Sequence, residues 1–302
     1  MPSPSVPRAV VRRRRTGPHP ILLLPAIAFF VFFAIIPLFG AVALSFTQWD
    51  GIGPVSFVGL DSWKTVLSDT QTWHGLRLSL LLMVVSWVVQ MPLSLLLGVF
   101  IAGNQKYRAV LSAVYLLPML LSSAAIAIAF KNLLDPNFGI GSALHLPILV
   151  QDWLGNPRLV IYVVVFIIAW QFVPFHTLLY QAGARGIPVQ LYEAATIDGA
   201  GTLQQFFHIT LPQLRNTIVT SSTLMLTGSL TYFDVVYVLT AGGPGNATRL
   251  LPLDMYLTGF QTNQMGLASV LAVILVVIGL ALAFVLTRAS GFAKMNSDQE
   301  GL

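Results

Sequence analysis

The chain has 302 residues, of which 56% are hydrophobic and only 9% charged, with a formal net charge of +5 and a mean hydropathy of +0.78. A soluble domain of this length carries about a quarter charged residues, so the polar surface needed to face water all round is missing and the bilayer must be the main solvent. With no cysteine, a disulfide framework and a thiolate metal site are excluded.

Residues 1–20, rich in Pro, Ser and Arg, read as a disordered basic cytoplasmic N-terminus. The arginines at 12–15, just before an apolar run, read as a topology anchor rather than a nucleic-acid arm. That first run, 21–46, is too long for a signal-peptide core and lacks a cleavage site. Five more follow, at 78–102, 109–134, 159–182, 213–239 and 266–287. Each is near the roughly twenty residues a spanning helix needs. They lack the short alternation of barrel strands. The predicted fold is an all-α membrane protein of six transmembrane helices over 21–287, with a cytoplasmic tail at 288–302. Placing both termini inside puts Arg8, Arg12 to Arg15, Lys106, Arg108, Arg185, Arg215, Arg288 and Lys294 on the cytoplasmic side, most of the 16 basic residues. Pro174 in the fourth span cannot donate to the Trp170 carbonyl, which predicts a kink and a free polar group there.

The span centres hold no carboxylate of the kind that relays protons or ions. The five histidines show no ligand spacing and read as ordinary surface or packing residues. No catalytic constellation and no metal site can be nominated, so the chain does not read as an enzyme. It also lacks the G-x-x-x-x-G-K-[ST] phosphate loop, so any nucleotide hydrolysis falls to another polypeptide.

Such a partner needs a docking element, and 183–212 is the largest cytoplasmic loop by this topology. Val189 to Asp198 reads as a short helix after Pro188, and Gly199-Ala200-Gly201 breaks it. Thr202 is placed to cap a second helix, with Leu203, Phe206 and Phe207 on one face and Pro212 ending the unit. Physics alone leaves two readings open: a force-transmitting contact, or an amphipathic helix resting on lipid.

The spacing of Glu193-Ala194-Ala195, Gly199, Ile209 and Leu211-Pro212 resembles the EAA signature of the membrane subunits of binding-protein-dependent ABC importers. Two further stretches, "FDVVYVLTAGGPGNAT" (Phe233 to Thr248) and "SFTQWDG…FVGLDSW" (Ser45 to Trp63), are similar to segments of the carbohydrate branch. The likeness, which runs from about residue 20 onward, is to the larger maltose permease subunit and the glycerol-phosphate permease. The large extracellular insertion of the maltose subunit is missing here.

The resemblance implies an ABC type I importer permease in a bacterial plasma membrane, forming half of a pathway for a mono- or oligosaccharide. Its implied partners are a second homologous permease, two ABC ATPase subunits and an extracellular solute-binding protein, besides sugar and membrane lipid, with no nucleic acid. This chain would bind no cofactor; ATP and Mg would be used by the ATPases. The coupling residues would be Glu193, Ala194, Ala195, Asp198, Gly199, Ala200, Leu211 and Pro212. Matching the same landmarks places the substrate pathway at Phe172, Phe175, Ser229 and Tyr232, with Gly228, Thr231 and Asp234 alongside. Another polar solute such as glycerol-phosphate is the alternative cargo, although a phosphate would favour basic residues in the path. A stand-alone secondary carrier would want paired repeats or intramembrane charge.

Overall fold

A computed structural model describes residues 20–103 and 106–289. The expected disordered leader and nearly all of the tail lie outside the described residues. Helix α1 (Ile21–Leu44) contributes no buried residue. A π turn, Val31–Ile35, interrupts it where the Ile36 amide reaches back to the Val31 carbonyl. Pro37 is the cause: its ring lacks the N–H and crowds the carbonyl one turn earlier, and a wider turn relieves both.

Strands β1 (Thr47–Gln48) and β2 (Ser56–Phe57) then pair antiparallel, with Thr47 opposite Phe57 and Gln48 opposite Ser56. This two-residue ribbon corrects the all-α expectation. After α2 (Asp61–Ser68), helix α3 (Thr70–Ile101) starts well before the expected 78, because the Asp69 carboxylate accepts the Gln71 N–H at 3.0 Å and caps it.

The expected third span, 109–134, is not one rod. Helices α4 (Val110–Leu120) and α5 (Ser123–Leu133) meet at 94°. Leu121 and Ser122 are extended, and the Ser122 hydroxyl caps α5 by accepting the Ala125 N–H at 3.2 Å. Helix α6 (Val160–Arg185) passes through Pro174 as one unbroken helix. Two short helices follow, α7 (Val189–Ile197) and α8 (Thr202–Gln205). The expected fifth span, 213–239, divides into α9 (Arg215–Ser229) and α10 (Asp234–Thr240), bent by 46°. Helix α11 (Leu251–Tyr256) and the long α12 (Met265–Ala289) complete the described residues. By length and composition four helices can cross a membrane alone, and six segments can if each bent pair counts as one.

The centre of the bundle is α6. Its Val164, Ile167 and Ile168 are fully buried in one cluster with Leu82 of α3, Ile126 of α5 and Val236 and Leu239 of α10. Between helices in lipid the hydrophobic gain is small, so close packing must carry the association. Gly98 permits it: a methyl there would lie 2.5 Å from Tyr180 Cβ and 2.8 Å from the Thr177 carbonyl oxygen. Where α3 ends, Gln181 and Arg185 of α6 donate to the last carbonyls, those of Ile101 and Ala102, at 3.4 and 3.2 Å.

At the opposite end, the segment after α10 is stitched onto the start of α3. The Ser79 hydroxyl accepts the Leu251 N–H at 2.9 Å. Arg249 grips the buried Asp254 carboxylate through two nitrogens, at 2.7 and 2.6 Å. Burial raises the Asp254 pKa above its ordinary 3.8, and the Arg249 charge partly opposes the rise.

Candidate functional site

Two places gather the residues singled out from sequence. The first is a cavity of about 540 Å³ between α6, α9 and the α4–α5 bend, within the range of about 300–1,000 Å³ usual for small-molecule sites. Both interrupted helices open onto it. Met119 and Ser123 flank the α4–α5 bend, while Gly228 and Thr231 flank the break between α9 and α10. Irregular backbone at membrane depth is tolerated where it lines a cavity, and the break satisfies its own groups locally: the Gly228 carbonyl accepts from the Thr231 N–H at 3.0 Å and its hydroxyl at 2.8 Å.

Three of the four expected pathway residues, Phe172, Phe175 and Tyr232, line this cavity. Phe172 and Tyr232 are stacked, with ring centroids 5.6 Å apart and planes 30° from parallel. Ser229 is not among the lining residues; it is buried, its hydroxyl donating to the Met225 carbonyl at 2.6 Å. Pro174, where a kink was expected, lies buried inside one continuous helix.

Sequence reasoning missed His176. Read as an ordinary packing residue, it lines the cavity while its Nδ1 meets the Ser221 hydroxyl of α9 at 3.0 Å. Phe175 lies edge-on to its ring, with centroids 5.1 Å apart. The two partners are 45 residues apart in sequence, and no local pattern could have joined them. Gln171 likewise reaches the Ser123 hydroxyl at 3.0 Å, bracing α6 against the bend. Flat aromatic faces beside hydroxyls and one carboxylate suit a ligand with C–H faces and many hydroxyl groups.

The second place is the 183–212 loop. Helix α7 ends at Ile197, and Gly199 takes φ +79. The Ala200 N–H donates to the Ala195 carbonyl at 2.8 Å and the Gly199 N–H to the Thr196 carbonyl at 3.1 Å. That paired pattern closes a helix through a left-handed residue, which glycine adopts without strain. Thr202 does not cap the next helix. Gly201 holds the cap position, and the Gln204 side chain accepts its N–H at 2.9 Å.

Nor does Pro212 end the unit. The chain stays helical through a π turn at Phe206–Thr210, again just before a proline, and through Leu211–Gln213. The expected apolar face also divides. Phe206 and Leu211 pack on the cluster of Leu95, Tyr180 and Leu214 at the base of α3 and α6. Leu203 and Phe207 stay exposed, as does Ile197.

Glu193, Ala194, Asp198 and Pro212 are exposed as well, and Glu193 makes no ion pair among the described residues. Ala195, Asp198, Gly199 and Ala200 line a shallow hollow of about 350 Å³. Thus a signature face is free while the loop behind it is anchored. Among the described residues no three His, Asp or Glu side chains are grouped to hold a metal ion.

The family model described as "Binding-protein-dependent transport system inner membrane component" matches residues 90–291. The probable ABC transporter permease protein YurN of Bacillus subtilis (strain 168) is 35% identical over 281 residues, covering 91% of this chain and 96% of that protein. The multiple sugar-binding transport system permease protein MsmF of Streptococcus mutans is 32% identical over 261 residues, covering 85% and 89%. Among solved structures, a bacterial ABC transporter involved in the import of the acidic polysaccharide alginate aligns with a TM-score of 0.80 at 22% identity, covering 91% of this chain and 95% of that one.

Proposed function

Because the chain belongs to the family of binding-protein-dependent transport system inner membrane components, a family of non-enzymatic membrane subunits, we propose that it forms half of the pathway through which an ATP-driven importer moves a mono- or oligosaccharide into the cell. The observation that carries this reading is the cavity at the broken fifth span, walled by the stacked Phe172 and Tyr232. Relatives named for multiple sugars, for trehalose and maltose, and for arabinooligosaccharides support the cargo class.

In this reading a second, homologous permease closes the other side of the cavity, two ABC ATPases bind below, and an extracellular solute-binding protein delivers the sugar. A solved relative in fold was captured with its pentasaccharide-bound periplasmic protein. ATP and Mg belong to the ATPases. The lengths of the apolar runs support six spans, and the distribution of Lys and Arg favours both termini in the cytoplasm. The free face of Glu193, Ala194, Ala195, Asp198, Gly199 and Ala200 contacts the ATPase. Leu211 and the helix around Pro212 carry the motion to the base of α3 and α6.

The test rebuilds the complex in liposomes with its partner permease, ATPases and binding protein. Uptake of labelled disaccharides and ATP hydrolysis are compared for wild type and Glu193→Ala. Loss of uptake with normal membrane insertion is the expected result. Uptake that proceeds without the ATPases, or is untouched by the substitution, would defeat the reading.

A further inference from the structure

The cavity has one acidic side chain in its wall. Asp234 opens α10 with an exposed carboxylate that lines the cavity and makes no ion pair among the described residues. Among those residues no lysine or arginine lines the same space. A carboxylate in the first turn is favoured by the helix dipole, which accounts for an acid at this position. It does not remove the consequence for whatever enters beside it.

We propose that Asp234 sets the charge class of the cargo: the cavity takes saccharides without negative charge and refuses uronic acids and sugar phosphates. The proposal rests on the sugar-permease reading above and sharpens it. A carboxylate accepts hydrogen bonds from neighbouring sugar hydroxyls, the groups a neutral ring offers in number. An anionic cargo meets a like charge instead, beside the apolar faces of Phe172, Phe175 and Tyr232. On this chain's described wall it also finds no lysine or arginine to repay the loss of its own hydration. Discrimination therefore comes from a repulsive element as well as an attractive one. His176 complements it, since Ser221 occupies its Nδ1 and leaves the imidazole edge in the cavity wall to meet a hydroxyl.

The experiment uses the assembled transporter in detergent, without the binding protein, so that the delivery protein's own selectivity is absent. Saturation-transfer NMR compares a panel of neutral disaccharides with the same disaccharides carrying one ring oxidised to a uronic acid. Wild type is expected to bind the neutral member at least about tenfold more tightly. Asp234→Asn should narrow the gap to about threefold or less, and Asp234→Lys should reverse it. Retained ATP hydrolysis identifies variants that still assemble, and Asp234→Ser replaces any that do not. Equal binding of both members by wild type, or an unchanged ratio in Asp234→Asn, would overturn the charge filter while leaving the sugar reading intact. Binding of neither member by a complex that hydrolyses ATP would overturn the sugar reading, and this proposal with it.

Discussion

The hydroxyl of Tyr192, on α7, meets that of Thr210, at the end of the π turn, at 2.9 Å. This contact joins the two arms of the 183–212 loop across 18 residues of sequence. Gln205 adds a second tie, donating to the Thr196 hydroxyl at 3.1 Å and the Ala200 carbonyl at 3.0 Å. Replacing Tyr192 with Phe removes only the first tie, at a cost of about 1 kcal/mol. Amide exchange between residues 192 and 210 should quicken severalfold while the rest of the bundle is unchanged. Wild-type exchange rates would mean that Gln205 alone holds the arms.

Gly199 is the position in this loop where a side chain is strained by backbone alone: its φ is +79, and a methyl group added there would meet no described atom within 4 Å. Gly199→Ala should therefore cost about 1–2 kcal/mol without any clash. Gly199→Asn should cost less, since asparagine tolerates the left-handed region. Thermal denaturation of the two variants in one detergent separates the cases, and equal melting of wild type and Gly199→Ala would refute the strained turn.

At Gly98 the reverse holds: conformation is ordinary and space is the constraint. A methyl 2.5 Å from Tyr180 Cβ must push α3 and α6 apart. Gly98→Ala is expected to destabilise the bundle by about 1–3 kcal/mol. Thermal denaturation in one detergent reads the loss, and a Gly98→Ala bundle as stable as wild type would refute the close contact.

Asp254 supplies a pH dependence. Its folded pKa lies above 3.8, burial being the chief cause and Arg249 the main opposing one. A raised carboxyl stabilises the fold while protonated: the contribution is complete below 3.8 and is lost as pH rises through the folded value. Arg249→Ala removes the opposing charge, so the folded pKa climbs further. The variant should then be less stable than wild type by about 3 kcal/mol at neutral pH. Melting between roughly pH 4 and 8 should show that gap closing on acidification. A gap independent of pH would dismiss the linkage.

The sequence revealed where the long apolar helices lie, because run length and the scarcity of charge both report on the same solvent. Their interruptions were harder to see. Leu121 and Ser122 lie inside an apolar run whose composition gives no sign of a 94° turn. Pro174, the residue whose type points to a kink, lies inside one continuous helix. Local turn chemistry was partly legible: Gly199 ends α7 as its type suggests, whereas the cap falls on Gly201 because Gln204 folds back to its N–H. Phe172, Phe175 and Tyr232 were reached only through the landmarks of the resembling family, and His176 with Ser221, a contact between two helices 45 residues apart, was not reached at all.

Phe206 and Phe207 are neighbours in sequence, and their rings touch edge to face at 5.2 Å. One is wedged against Leu95, Tyr180 and Leu214, and the other is left standing in the open. Under the coupling role proposed above, a push on the outer ring would cross a single peptide bond before bearing on the helix that carries Phe172 and His176, because both rings sit on the one π turn.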